Sequence, residues 1–230
     1  MKISQILYSQ GFGTRRICSG LINADLVSVA GRVIDDPDED FDTTGLVFTV
    51  EGRHWPFHEK ALIMLNKPSG YECSQKSRHH PSVMTLLPAP LRERGVQSVG
   101  RLDEDTTGML LLTDDGTLIH KLTSPKHHVP KVYEVSCKHP VDEAQVQRLL
   151  AGVVLEDDPQ PVRASACEAT GPETLRLTLT EGKYHQVKRM IAAVSNRVER
   201  LHRSRIGACA LPPDLAPGQW RWLVPADLYP

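Results

Sequence analysis

No stretch of this 230-residue chain approaches the roughly 18 to 20 uninterrupted apolar residues that a membrane-crossing helix requires. The opening Met1-Lys2-Ile3-Ser4 lacks the charged and then apolar run of a secretory leader. The five cysteines, Cys18, Cys73, Cys137, Cys167 and Cys209, are scattered and without Cys-x-x-Cys spacing, which argues against a disulfide framework and against a zinc site. A cytosolic protein with reduced thiols is expected. There is no internal repeat, no low-complexity tract and no phosphate-binding P-loop. Net charge is only −1, which argues against a protein that coats nucleic acid indiscriminately. The charge is unevenly spread, however. Between Lys183 and Arg205 seven basic residues face the single acid Glu199, while Asp35 to Asp42 holds six acids.

What the chain does have is one unusual stretch, Ser98 to Gly116. Met109 to Leu112 is a continuous apolar run between Gly108 and the turn-forming pair Asp115-Gly116, the pattern of a strand buried on both faces. Such a strand gives the loop before it a rigid mount. On that loop sit Arg101, Asp103, Glu104 and Asp105, flanked by Gly100, Thr106, Thr107 and Gly108. Three readings fit the cluster taken alone. An aspartate can bond nearby amides to shape the turn; the three acids can ligate a divalent metal; or one carboxylate can act as a nucleophile beside a basic neighbour.

Gly100-Arg101-Leu102-Asp103, continuing through Thr107-Gly108 to Asp115-Gly116, resembles the catalytic motif of the pseudouridine synthases. The likeness extends to Asn66-Lys67-Pro68-Ser69-Gly70, to Lys131-Val132-Tyr133-Glu134-Val135 and to Glu181 through Met190, in the same order. Within that family, Tyr71-Glu72-Cys73-Ser74 and the His127-His128 pair are most similar to the RsuA branch, whose members act on small-subunit ribosomal RNA. The resemblance implies Asp103 as the catalytic carboxylate, Tyr133 stacking on the uracil, and Lys188 as the cation paired with Asp103. It places Asn66 and Lys67 beside the cleft, Arg101 on the RNA, Arg189 as the other candidate for that cation or as an RNA phosphate contact, and Arg203 within a phosphate-tracking stretch from Arg197 to Arg205. No cofactor and no metal are implied. The expected partner is 16S RNA or a pre-30S particle, with uridine 516 as the target by resemblance, no membrane, and the protein acting as a monomer. A large-subunit (23S) enzyme of the same family is the alternative. A non-catalytic RNA-binding assembly factor is a further rival, and a metal-dependent phosphoryl-transfer enzyme is weakened by the missing P-loop.

Two domains are expected, residues 1–57 and 58–230. In the first, Ile3, Ile6 and Leu7 share a helical face, Thr14 caps a second helix with Ile17, Leu21 and Ile22 inward, and Val27 and Val29 alternate as a strand. This resembles the S4 RNA-binding module. Arg15 and Arg16 lie in the first turn of the second helix, where the helix dipole disfavours cations, so an anion such as a phosphate is their expected partner. In the second domain, strands at 61–65, 109–112, 132–136 and 175–179 and helices at 118–122 and 144–150 do not make a regular βαβ repeat. The expected class is α+β, an S4-like domain followed by a catalytic domain on a mixed, mostly antiparallel sheet. His54 to Lys60 reads as a linker or an edge, and the tail from Ala208 as irregular.

Overall fold

The computed structural model describes residues 1–156 and 158–228, and the chain divides into two compact units. The first is Met1–Ala61 together with Leu87–Gln97. Helix α1 (Ile3–Ser9) buries Ile3, Ile6 and Leu7, the i, i+3, i+4 spacing of one helical face. Gly11 follows at φ +85°, and a Cβ there would lie 2.0 Å from the Pro90 carbonyl oxygen, so only glycine fits. Helix α2 (Arg15–Asn23) is capped by Thr14, whose side chain accepts from the Ile17 amide at 3.3 Å. Its inward residues are Cys18 and Ile22, one turn apart, whereas Ile17 is 52% exposed and does not join the expected core. Strands β1 (Val27–Val29) and β2 (Arg32–Val33) pair antiparallel around Ala30-Gly31, both at positive φ, the geometry of a tight hairpin turn.

Strands β3 (Val47–Val50) and β4 (Arg53–Pro56) complete a four-stranded sheet in the order β2-β1-β3-β4. Of the segment read as a linker or an edge, His54 to Pro56 lie in strand β4, and the Trp55 ring packs edge-on to Phe12 at 5.3 Å. The later segment Leu87–Gln97, with helix α3 (Ala89–Glu93), belongs to this unit as well. Arg94 fastens it, donating to Gln10 Oε1 at 2.7 Å and to the His58 carbonyl at 2.9 Å. An uninterrupted second domain from residue 58 was expected; the excursion through Arg94 is a pairing over 84 positions that local pattern does not encode.

The second unit is Leu62–Leu86 with the chain from Ser98 onward. After β5 (Leu62–Lys67) and the two-residue β6 (Gln97–Ser98) come β7 (Thr107–Thr113), α4 (Gly116–Thr123), β8 (Lys131–Cys137) and α5 (Glu143–Ala151). Strands β9 (Val153–Leu155), β10 (Asp158–Val162), β11 (Ala166–Gly171) and β12 (Thr174–Leu179) lead to helix α6 (Gln186–Ala193). Then β13 (Val198–Ile206), β14 (Cys209–Ala210) and β15 (Trp220–Trp222) follow. The main sheet runs β11-β12-β8-β13-β7-β5-β15, with β13 and β7 parallel and the pairs β5–β7, β8–β12, β8–β13 and β5–β15 antiparallel. The class is the expected mixed, mostly antiparallel α+β. All six residues of β5 and six of seven in β7 are buried, which is why their sequences are continuous apolar runs rather than alternations.

Two stretches depart from expectation. The basic segment 197–205 is not a surface ribbon but β13, inside the sheet between β8 and β7. Strand alternation puts Arg203 inside, 2% exposed, and Arg200 outside, and a register shift between Arg203 and Arg205 returns Arg205 to the exposed side. The tail read as irregular contributes β15, whose Trp220, Arg221 and Trp222 pair with Leu65, Met64 and Ile63. The close approach of β13 explains Gly108, which sits at φ +104° and whose Cβ would fall 2.3 Å from the Arg203 carbonyl oxygen.

Candidate active site

The loop Arg101–Thr106 is held from outside by the turn that follows β5. Lys67 is fully buried, and its ammonium donates to three backbone carbonyls: Thr106 at 2.8 Å, Glu104 at 2.9 Å and Pro68 at 3.1 Å. The Gly70 amide also donates to the Glu104 carbonyl, at 3.0 Å, and the Leu102 amide donates to Cys73 Sγ at 3.4 Å. Burial pushes the Lys67 ammonium below its usual value and the Cys73 thiol above its own. Three carbonyls around a buried ammonium leave no donor of Lys67 for a ligand. Asn66 is likewise buried and spends its amide on the Leu215 carbonyl at 2.7 Å. Both were expected to touch substrate; the structure uses them to fix the loop and the tail, because β5 is interior along its whole length.

On this fixed loop, Asp103 lines a cleft of about 590 Å³ whose wall also contains Arg101, Tyr133, His185 and Arg203. The volume is in the range of pockets that enclose a small ligand or one nucleotide base. Asp103 Oδ2 lies 3.2 Å from the Lys188 ammonium and Asp103 Oδ1 lies 3.3 Å from His185 Nε2. Lys188 also donates to both oxygens of Asp105, at 2.6 and 2.9 Å. Burial alone would lower the Lys188 ammonium, but the two aspartates outweigh it and raise it; burial alone would raise Asp105, but Lys188 outweighs it and lowers it. The cluster is therefore a shared cation between two carboxylates. A divalent ion on Asp103 and Asp105 would have to displace that ammonium, and among the described residues no three His, Cys, Asp or Glu side chains converge on a metal position.

Tyr133 is 8% exposed and stands directly opposite Arg203 across the β8–β13 pair, so the two side chains share the pocket face of the sheet. Arg203 donates from Nε to the Met109 carbonyl at 2.9 Å, while its Nη2 is buried without a hydrogen-bond partner. It is a cation in the cleft wall rather than part of a phosphate-tracking surface. Arg101 is exposed at the cleft. Arg189 is partly buried and donates to the Tyr184 carbonyl at 3.0 Å, so it supports the loop before α6. Arg15 and Arg16 belong to the first unit, both exposed, with the Arg15 guanidinium 5.5 Å from the centre of the Tyr8 ring.

Two residues at the cleft were given no role from sequence. His185 was quoted inside a motif, but its nearness to Asp103 arises only because α6 begins there, with His185 at φ +47°. Tyr184 lies in the same Glu181 to Met190 motif, and its place at the cleft likewise follows only from the loop that leads into α6.

Residues 61–193 match the RNA pseudouridylate synthase family, a span that includes Asp103, Tyr133, His185 and Lys188. The chain is 38% identical to the ribosomal small subunit pseudouridine synthase A of Yersinia pestis, covering 99% of this chain and 97% of that protein. It is also 38% identical to the uncharacterized RNA pseudouridine synthase YtzG of Bacillus subtilis, over 100% and 97% of the two chains. A crystal structure of a pseudouridylate synthase superposes with a TM-score of 0.70 at 33% identity, over 99% of this chain and 98% of that one. With its catalytic-loop motif, its mixed sheet and full-length relatives all in agreement, the chain belongs to the RNA pseudouridylate synthase family and is an isomerase.

Proposed function

We propose that the protein converts one uridine of 16S ribosomal RNA, position 516 by resemblance, to pseudouridine on an assembling small subunit, with Asp103 as the catalytic carboxylate. The observation that carries this reading is the placement of Asp103 in the cleft wall between Lys188 and His185, with Tyr133 in the same cleft. The reaction breaks the N1–C1′ bond, turns the uracil, and joins C5 to C1′; C5 gives up a proton and N1 takes one, so the nucleotide keeps its formula. No co-reactant is needed. An anionic side chain suits every route to that exchange, whether it adds to the ring, attacks C1′ or takes a sugar proton to form a glycal. Lys188 balances the negative charge beside it, Tyr133 offers a ring face to the base, and Arg203 offers an unused N–H in the wall.

The target base must leave its stack at a cost of roughly a few kcal/mol, which is smallest where RNA is incompletely folded. That favours an assembling particle over a finished subunit. Arg101 fills the gap left by the base or holds a neighbouring phosphate. The first unit, read as S4-like, adds backbone contacts through Arg15 and Arg16. Its acidic run, of which Asp38 is paired with Lys2 at 2.8 Å and Glu39 with Arg32, faces away from the RNA in this reading. Relatives named as small-subunit enzymes support the 16S target.

The test is incubation of the protein, and of its Asp103→Asn variant, with unmodified 16S RNA and with pre-30S particles, followed by pseudouridine mapping. The expected result is one modified uridine with the wild type and none with the variant, at unchanged RNA affinity. Substantial turnover by Asp103→Asn overturns the assignment of Asp103. A 23S site modified in place of the 16S uridine moves the protein to large-subunit RNA.

A further inference from the structure

Tyr184 is 74% exposed although it lines the cleft, and it is not loosely placed. One face of its ring stacks on the His185 imidazole, with centroids 3.8 Å apart and planes 20° from parallel. Its own carbonyl is held by Arg189 Nη1 at 3.0 Å. The residues on either side are fastened too, with Lys183 bonded to Asp158 and His185 Nε2 lying 3.3 Å from Asp103. A large aromatic ring is thus presented on a fixed backbone at the cleft, with imidazole beneath it and its remaining surface largely open to solvent. At that exposure the ring is not part of the core of the unit.

We infer that Tyr184 is a stacking platform for the nucleobase next to the uridine being isomerised. This rests on the RNA isomerase reading above and adds a binding subsite to it. A nucleotide extruded into the cleft remains covalently tied to its neighbours, so an adjacent base has to pass the cleft rim. That base loses a stacking partner when the uridine leaves. An exposed tyrosine ring replaces the lost partner, and the replacement tolerates any base because every base has a π-face. The platform is preorganised, so little ordering is required when RNA arrives. It also joins RNA binding to chemistry in one column: the neighbouring base, then Tyr184, then His185, then the Asp103 carboxylate. An occupied platform restrains the imidazole against Asp103, making Tyr184 a positioning residue for the cleft as well as a contact.

The test combines Tyr184→Ala and Tyr184→Phe with a 16S RNA fragment in which either neighbour of the modified uridine is replaced by an abasic residue. Affinity and turnover are both measured. With intact RNA, Tyr184→Ala is expected to weaken binding between about fivefold and a hundredfold, whereas Tyr184→Phe stays close to wild type because it keeps the ring. For one of the two neighbours, the abasic substitution is expected to weaken the wild type by a similar factor and to add nothing further in Tyr184→Ala. Losses that multiply at both neighbours, or an unchanged affinity in Tyr184→Ala, overturn the platform. Failure of the isomerase reading has a different signature, since the wild type would then bind the intact fragment without forming pseudouridine, while the affinity comparison still decides the role of Tyr184.

Discussion

Lys188 lies closer to Asp105 than to the aspartate its motif position implies: 2.6 Å from Asp105 Oδ1, against 3.2 Å from Asp103 Oδ2. A cation divided in this way neutralises two acids on one loop and sets their spacing. Asp105 is the more exposed of the pair, with 58% of its side chain accessible against 27% for Asp103, so it serves as the outer anchor of Lys188.

Lys188→Met should therefore leave two neighbouring carboxylates without their shared ammonium, lowering kcat by on the order of 100-fold while RNA affinity changes little. Lys188→Arg keeps the charge but presents a planar fork in place of a point charge, and should recover most of the activity. Single-turnover rates on the mapped RNA check both. A Lys188→Met enzyme within threefold of wild type would remove Lys188 from the catalytic group.

The same pair sets a pH dependence. Asp105 has a folded pKa below its ordinary value, so its contribution is present above about pH 4 and is lost as pH falls through the lower folded value. Lys188 is raised, so its contribution is present below about pH 10.4 and is lost only as pH rises beyond its higher folded value. The pairing should thus hold unchanged across the neutral range. Because Asp105 is more than half exposed, Asp105→Asn should cost on the order of 1 kcal/mol or less at pH 7. Urea midpoints of wild type and variant should converge at the acid end; a difference that widens there would contradict the pairing.

Lys67→Met removes the donor of three backbone carbonyls, with the bond to Thr106 buried and those to Glu104 and Pro68 part-buried. A loss of roughly 2–3 kcal/mol of stability is expected in urea unfolding. The larger consequence should be in kcat, since the loop carrying Asp103 loses two of its ties, at Glu104 and Thr106. An enzyme with normal kcat and lowered stability would show that the loop keeps its shape without Lys67.

Gly108→Ala combines an unfavourable φ with a clash against the backbone of β13. The expected cost is roughly 1–3 kcal/mol, read as a lower urea midpoint. An unchanged midpoint would mean that the parallel β7–β13 contact is looser than its geometry indicates.

Arg15→Gln with Arg16→Gln should weaken RNA binding and reduce the slope of log affinity against log salt by about 1 to 2, without changing kcat at saturating RNA. An identical salt slope would detach the first unit from RNA.

Much of this protein was legible along the chain. The buried run Met109–Leu112 marks an interior strand because a strand covered on both faces has no reason to alternate, and β7 is such a strand. Thr14 caps α2 as its position implies, because capping is a contact over three residues. Motif order located Asp103, Tyr133 and Lys188, which the fold then brings to one cleft or its edge. What the linear order does not contain is which side of a strand a residue occupies, or which distant backbone it meets. The Arg197–Arg205 stretch looks like a surface ribbon until pairing with β7 and β8 makes it interior and turns Arg203 inward. Lys67 looks like a ligand-binding lysine until the carbonyls of Glu104 and Thr106 surround it. His185 and Tyr184 gain their places only where α6 starts. Sequence alone therefore determined the local elements and the family of chemistry, both of which depend on residue type and short spacing. The tertiary structure decided which cations face the cleft and which are spent on backbone, because that depends on strand register and on contacts between positions such as Lys188 and Asp105, 83 residues apart.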